Sequence, residues 1–113
     1  MKYMLLIYAH DNGSWAKLSE DEQNAISQEY FAIAGAPGVT GGDQLQPGTT
    51  ATTVRVQDGR TLTTNGPFAE TKEELGGYYL LDADDIDSAL ELAARIPAAR
   101  LGGAIEVRPV VEH

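Results

Sequence analysis

The sequence predicts an α+β fold: a ferredoxin-like split βαβ arrangement with one added β-hairpin. Three observations lead there. Strand-like and helix-like runs alternate in the order β, α, β, hairpin, β, α, β. Each helical run opens on a capping signal and closes on a breaker. An Asp58-Gly59 step between alternating residues marks a hairpin separating the two strand–helix–strand halves. The 113 residues form a single domain over 1–113, with both helices expected on one face of an antiparallel sheet.

Tyr3-Met4-Leu5-Leu6-Ile7-Tyr8-Ala9 is apolar without a break, as in a strand covered on both faces, and reads as the central strand. The polar run His10-Asp11-Asn12-Gly13-Ser14 ends it. Ser19 followed by Glu22 forms a capping box, and Glu20, Asp21 and Glu22 add the negative charge that a helix N-terminus favours. Ala25, Ile26, Glu29, Tyr30, Ile33 and Ala34 then trace a helical face, which Gly35-Ala36-Pro37-Gly38 stops. Between Val39 and Pro47 the pattern weakens to a short strand or an extended loop. Ala51 to Gln57 alternates as a half-buried strand and returns through Arg60 to Thr64. Gly77 to Leu81 gives another strand. Asp84 or Asp85 caps a second helix along Ile86, Ala89, Leu90, Ala93 and Ile96, closed by Pro97, and Ala104 to Arg108 alternates into the last strand.

Composition narrows the function classes. A formal net charge of −9 and a pI of about 4.4 disfavour nucleic acid and anionic membrane as partners, since both select positive patches. Without cysteine there is no disulfide, thiolate nucleophile or thiolate metal site. The apolar run at the N-terminus is too short to span a bilayer, and a cytoplasmic protein is expected. No dinucleotide fingerprint, P-loop or nucleophile elbow is present, and with two histidines a His-rich metal site cannot be built. No cofactor is expected.

His10, where the first strand ends, is the first candidate for chemistry, because imidazole titrates nearest neutrality and the adjoining Asp11 can orient it. A loop histidine with no role is the plainer alternative. The central stretch from Asn65 to Gly77 combines a locally defined turn, Asn65-Gly66-Pro67, with one aromatic and several charges. In it Asn65, Glu70 and Lys72 are candidate polar contacts to a small molecule, although any one of these charges is as readily a solvated surface group. Tyr78 and Tyr79 must point to opposite sheet faces, one toward the helices and one toward a cavity. Tyr79 with Phe68 is taken as the apolar wall of that pocket, with packing as the alternative for each.

Asn65-Gly66-Pro67-Phe68-Ala69-Glu70-Thr71-Lys72-Glu73 resembles the signature of the DGPF group of YCII-related domains. The likeness extends through Leu75-Gly76-Gly77-Tyr78-Tyr79 and Ala94-Arg95-Ile96-Pro97, begins at Met1 to Tyr8 and ends in Glu106-Val107-Arg108-Pro109. Asn65 stands where that group usually has aspartate. The resemblance implies a homodimer, a dimeric α+β barrel with sheets face to face, which would also explain the doubly apolar first strand. It further implies a His and an Asp in a pocket, of which the histidine falls by position on His10. The expected function is cofactor-free acid–base chemistry of isomerase or lyase type on a small molecule, with His10 as proton carrier. The alternative implied is a non-catalytic ligand-binding or regulatory module that works with an extracytoplasmic-function sigma factor as its protein partner.

Overall fold

A computed structural model of the chain describes residues 1–10, 13–68 and 73–113. The strands are β1 (Lys2–Ala9), β2 (Val39–Gln44), β3 (Thr52–Gln57), β4 (Arg60–Asn65), β5 (Glu74–Asp82) and β6 (Ala104–Pro109). The helices are α1 (Ser14–Lys17), α2 (Glu20–Ala34), α3 (Ile86–Ala94) and α4 (Pro97–Arg100). Four strands form one sheet in the order β2-β5-β1-β6, all neighbours antiparallel, while β3 and β4 pair only with each other. In this order β5 lies between β1 and β2, and β1 lies between β5 and β6. Each strand–helix–strand unit is therefore split by a strand of the other, the ferredoxin-like arrangement expected.

The alternation of β1 sorts its side chains. Tyr3, Leu5 and Ile7 are buried beneath the helices, whereas Met4, Leu6 and Tyr8 are half-buried on the other face. β5 does the same, with Tyr79 and Leu81 toward the helices and Tyr78 and Leu80 away. Ile26 and Ile33 of α2, Ala89, Leu92 and Ala93 of α3, and Ile96 and Ala98 around α4 close the core. The core therefore sits wholly on one side of the sheet. No helix among the described residues covers the second face, so β1 is central but is covered on one side only.

Local signals set the helix ends. Ser19 accepts from the Glu22 amide at 3.1 Å, and the Glu22 carboxylate accepts from the Ser19 amide at 3.3 Å, completing the predicted capping box. Asp85, not Asp84, caps α3 by accepting from the Ser88 amide at 2.8 Å. That bond holds the Asp85 carboxyl below its ordinary range. Pro97 does more than end α3. It opens α4 at the first helical position, where its missing N–H costs nothing. A short α1 also forms within the stretch read as loop.

The hairpin turn has the expected geometry, with φ of 51° at Asp58 and 76° at Gly59, the left-handed pair that a two-residue connection needs. The strands it joins depart from expectation. β3, expected half-buried, is exposed apart from Thr53, with Val54 59% and Val56 67% accessible, and β4 is exposed throughout. The alternation of Val54 and Val56 with Thr53 and Arg55 gave the strand correctly, but alternation cannot show that a strand pairs outside the main sheet.

Candidate functional site

The backbone register brings two charged side chains together at one end of the main sheet. β1 and β5 pair with Tyr8 opposite Leu75 and Ala9 opposite Glu74. One further step of that register sets His10 opposite Glu73. Their side chains meet there, with His10 Nε2 3.6 Å from Glu73 Oε1. Both side chains are about one-third exposed, at 35% and 39%, so the pair is open to a ligand. The contact is longer than a hydrogen bond, and contacts of catalytic pairs commonly tighten only when substrate is bound.

A register change makes this pairing. Up to Ile7 opposite Gly77 the ladder runs in one register, and it shifts between Ile7 and Tyr8. The extra residue on β5 is Gly76, skipped between Gly77 and Leu75. Bulges of this kind re-aim side chains near sheet ends. By the alternation of β1, His10 continues the row Met4, Leu6, Tyr8 on the uncovered face. Tyr78 of β5 stands opposite Leu6, and Asp43 of β2 stands opposite Tyr78. The uncovered face thus presents an apolar centre with His10 and Glu73 at its end.

The structure gathers only part of the predicted site. Asp11, the expected orienter of His10, and Glu70 and Lys72, the expected polar contacts, lie outside the described residues. Tyr79 lies on the helix-covered face, corrected from its expected place on a cavity wall. It is 8% exposed, and its hydroxyl donates to the Tyr30 carbonyl at 3.0 Å. Burial raises the pKa of both Tyr79 and Tyr30 above the usual phenol value. The tyrosine on the uncovered face is Tyr78.

Asn65 ends β4, with its backbone paired to Thr52. Phe68 follows on an exposed turn, 72% accessible, with the Arg55 guanidinium 4.6 Å above its ring. That cation–π contact joins the hairpin to the turn after it. No hydrogen bond or ring contact among the described residues links Asn65 or Phe68 to His10 or Tyr79. Sequence reasoning missed Glu73 as the partner of His10, although it stood in the motif. Only the strand register identifies it.

A concave region also lies elsewhere among the described residues. A shallow, open cleft of about 350 Å³ lies between the loop after α2, the C-terminal end of β5 and α3, edged by Asp82, Asp84, Glu91 and Arg95. It is at the opposite end of β5 from Glu73, roughly 25 Å away at strand rise. The His10–Glu73 pair and this cleft are separate features of the chain. Among the described residues no three His, Cys, Asp or Glu side chains are grouped to hold a metal ion, and no helix is long and apolar enough to cross a membrane.

The chain belongs to the YCII-related domain family, whose model matches residues 1–113. It is also similar to an uncharacterized protein of Rhizobium meliloti (strain 1021), at 38% identity over 97% of this chain and 92% of that protein.

Proposed function

We propose that this YCII-related chain, a member of the DGPF group by its central motif, is a homodimer. We further propose that it binds a small organic molecule at the His10–Glu73 end of its uncovered sheet face and moves a proton on it. The observation that carries this reading is the pair itself, an imidazole and a carboxylate at 3.6 Å on adjacent strand ends. The imidazole is a group that can both accept and donate a proton, and the carboxylate stands beside its Nε2. Glu73 takes the orienting role expected of Asp11. Tyr78, Tyr8 and Leu75 supply an apolar floor. Such a site suits isomerisation, dehydration or elimination next to a carbonyl, where one placed proton carrier is sufficient.

The test is a thermal-shift screen against a diverse metabolite library, run on wild type, His10→Ala and Glu73→Gln. Ligands that raise the wild-type midpoint by mass action should lose the effect in His10→Ala and keep a reduced one in Glu73→Gln. Hits that stabilise His10→Ala as much as wild type would move the site elsewhere. A hit that binds at His10 but is returned chemically unchanged would make the chain a ligand-binding module.

A further inference from the structure

An Asn-Gly step is a chemical weak point in any chain. Once its proton is lost, the glycine amide nitrogen can attack the asparagine side-chain carbonyl, because no glycine side chain hinders the approach. The new bond closes a cyclic imide, the carboxamide nitrogen leaves as ammonia, and water then opens the ring. Opening at the former side-chain carbonyl gives aspartate. Opening at the main-chain carbonyl gives isoaspartate, whose backbone is one carbon longer. The sequence has two such steps, Asn12-Gly13 and Asn65-Gly66. Asn12 lies outside the described residues, whereas Asn65 ends β4 and Gly66 follows it.

The hairpin keeps the reacting atoms apart. The Gly66 amide donates to the Ala51 carbonyl at 2.7 Å, so the attacking nitrogen is engaged and keeps its proton. The Gly66 carbonyl accepts from the Thr53 hydroxyl at 2.8 Å, and Asn65 is paired with Thr52. Both sides of the Asn65-Gly66 peptide are thereby pinned to β3. In a strand the side chain stands off the sheet while the amides lie along the ladder, which holds the Asn65 carboxamide away from the Gly66 nitrogen. The pin is nevertheless weak. Two-stranded hairpins are marginal in water, and among the described residues β3 and β4 pair only with each other. Asn65 is exposed with the rest of β4. Gly66 sits at φ 101° with open space where a Cβ would stand, so nothing packed there resists the rotation that ring closure needs. Such a unit opens at a lower free energy than a sheet that rests on a core.

We propose that Asn65 is a deamidation site gated by the hairpin. It is closed while Gly66 is bonded to Ala51 and Thr53, and it reacts when the end of β3–β4 remote from the Asp58-Gly59 turn frays. The route is local opening and not unfolding of the whole domain. Aspartate at position 65 adds a negative charge and leaves the main chain as it was. Isoaspartate moves Gly66 by one backbone carbon relative to Ala51 and Thr53, so the pin does not re-form in register. Either product is permanent, and its amount records how often the hairpin has opened.

The experiment incubates the full chain at neutral pH in water enriched in heavy oxygen, which leaves one labelled oxygen at each opened imide. Mass spectrometry of the peptide containing Asn65 then gives the rate for wild type, Thr53→Val, Ser19→Ala and the wild-type chain unfolded in urea. Thr53→Val removes the hydroxyl bond to Gly66 and keeps the β-branched shape. Ser19→Ala weakens α2 by a comparable amount away from the hairpin. Circular dichroism checks that both variants are folded. One hydrogen bond shifts the opening equilibrium about fivefold, so the two bonds to Gly66 should make the folded wild type roughly 20-fold slower than the unfolded chain. Thr53→Val should react about fivefold faster than wild type, and Ser19→Ala at the wild-type rate. A folded chain that reacts as fast as the unfolded one would overturn the gate, and an unfolded chain that does not react would overturn the site. Equal acceleration in both variants would make global unfolding the route and overturn local opening. A Thr53→Val rate equal to wild type would overturn the pin.

Discussion

Leu5 and Leu6 are neighbours in β1 that face opposite sides of the sheet, and the pair measures how one-sided the core is. Leu5 is fully buried, with Tyr79 and Val107 opposite it on the flanking strands. Replacement by Ala leaves a void between two hydrogen-bonded neighbours that have little freedom to collapse. The upper half of the Leu→Ala range applies, about 3–4 kcal/mol. For a domain of this length that lowers the midpoint by roughly 15 °C. Leu6 is half-buried opposite Tyr78 and Glu106, and in a single copy its replacement costs about 1 kcal/mol, for the smaller area returned to water. The assay is urea denaturation of both variants at two protein concentrations. Leu5→Ala should cost the same at each, whereas in the proposed homodimer the cost of Leu6→Ala should grow with concentration. A Leu5→Ala cost below about 1 kcal/mol, or equal costs for the two variants in dilute protein, would refute the one-sided core.

The two remaining predictions concern ends and edges. Ser19→Ala removes the acceptor from the Glu22 amide and half of the capping box; it should destabilise by about 1 kcal/mol in the same denaturation assay, and no change would mean that α2 does not depend on its cap. Burial raises the pKa of Tyr30 and Tyr79 above the ordinary phenol value of about 10, so the neutral phenols stabilise the fold fully below that pH. This contribution is lost as pH rises through the raised folded values. Tyr79→Phe should flatten that alkaline loss in a pH series of thermal midpoints, at the cost of the bond to the Tyr30 carbonyl, and an unchanged alkaline limb would sink the assignment.

Much of the fold was legible because its signals are local. Ser19 and Glu22 stand at capping-box spacing, Asp58-Gly59 is a left-handed turn pair, and the run Tyr3–Ala9 has no polar interruption, so each element announces itself within a few residues. The site was legible only in part. His10 could be picked by its chemistry and its place at a strand end. Its partner could not, since Glu73 lies more than sixty residues away and is selected by the pairing of β1 with β5. Nor could alternation tell which of Tyr78 and Tyr79 meets the helices. Both faces of β5 are apolar enough there for either assignment, and a one-residue slip exchanges them. The exposure of the hairpin was hidden for the same reason. Val54 and Val56 carry the alternation of a covered strand, yet both are exposed.

Register is also what makes the His10–Glu73 pair something a small domain can hold. Had the ladder continued from Ile7 opposite Gly77 without the shift, His10 would stand opposite Glu74, which instead reaches toward Gly48. The bulge at Gly76 advances β5 by one residue and presents Glu73 in its place. Opposed residues in an antiparallel pair have Cβ atoms about 5 Å apart, so the imidazole and carboxylate are brought into range by backbone hydrogen bonds rather than by burial. The pair stays exposed to ligand on a face where the core does not lie, and the residues that stabilise the sheet, Tyr3, Leu5 and Ile7, point the other way. Substitutions on the uncovered face can therefore alter binding with little loss of fold, whereas a change that frays the β1–β5 ladder near Tyr8 and Leu75 separates the pair even if every side chain in it is kept.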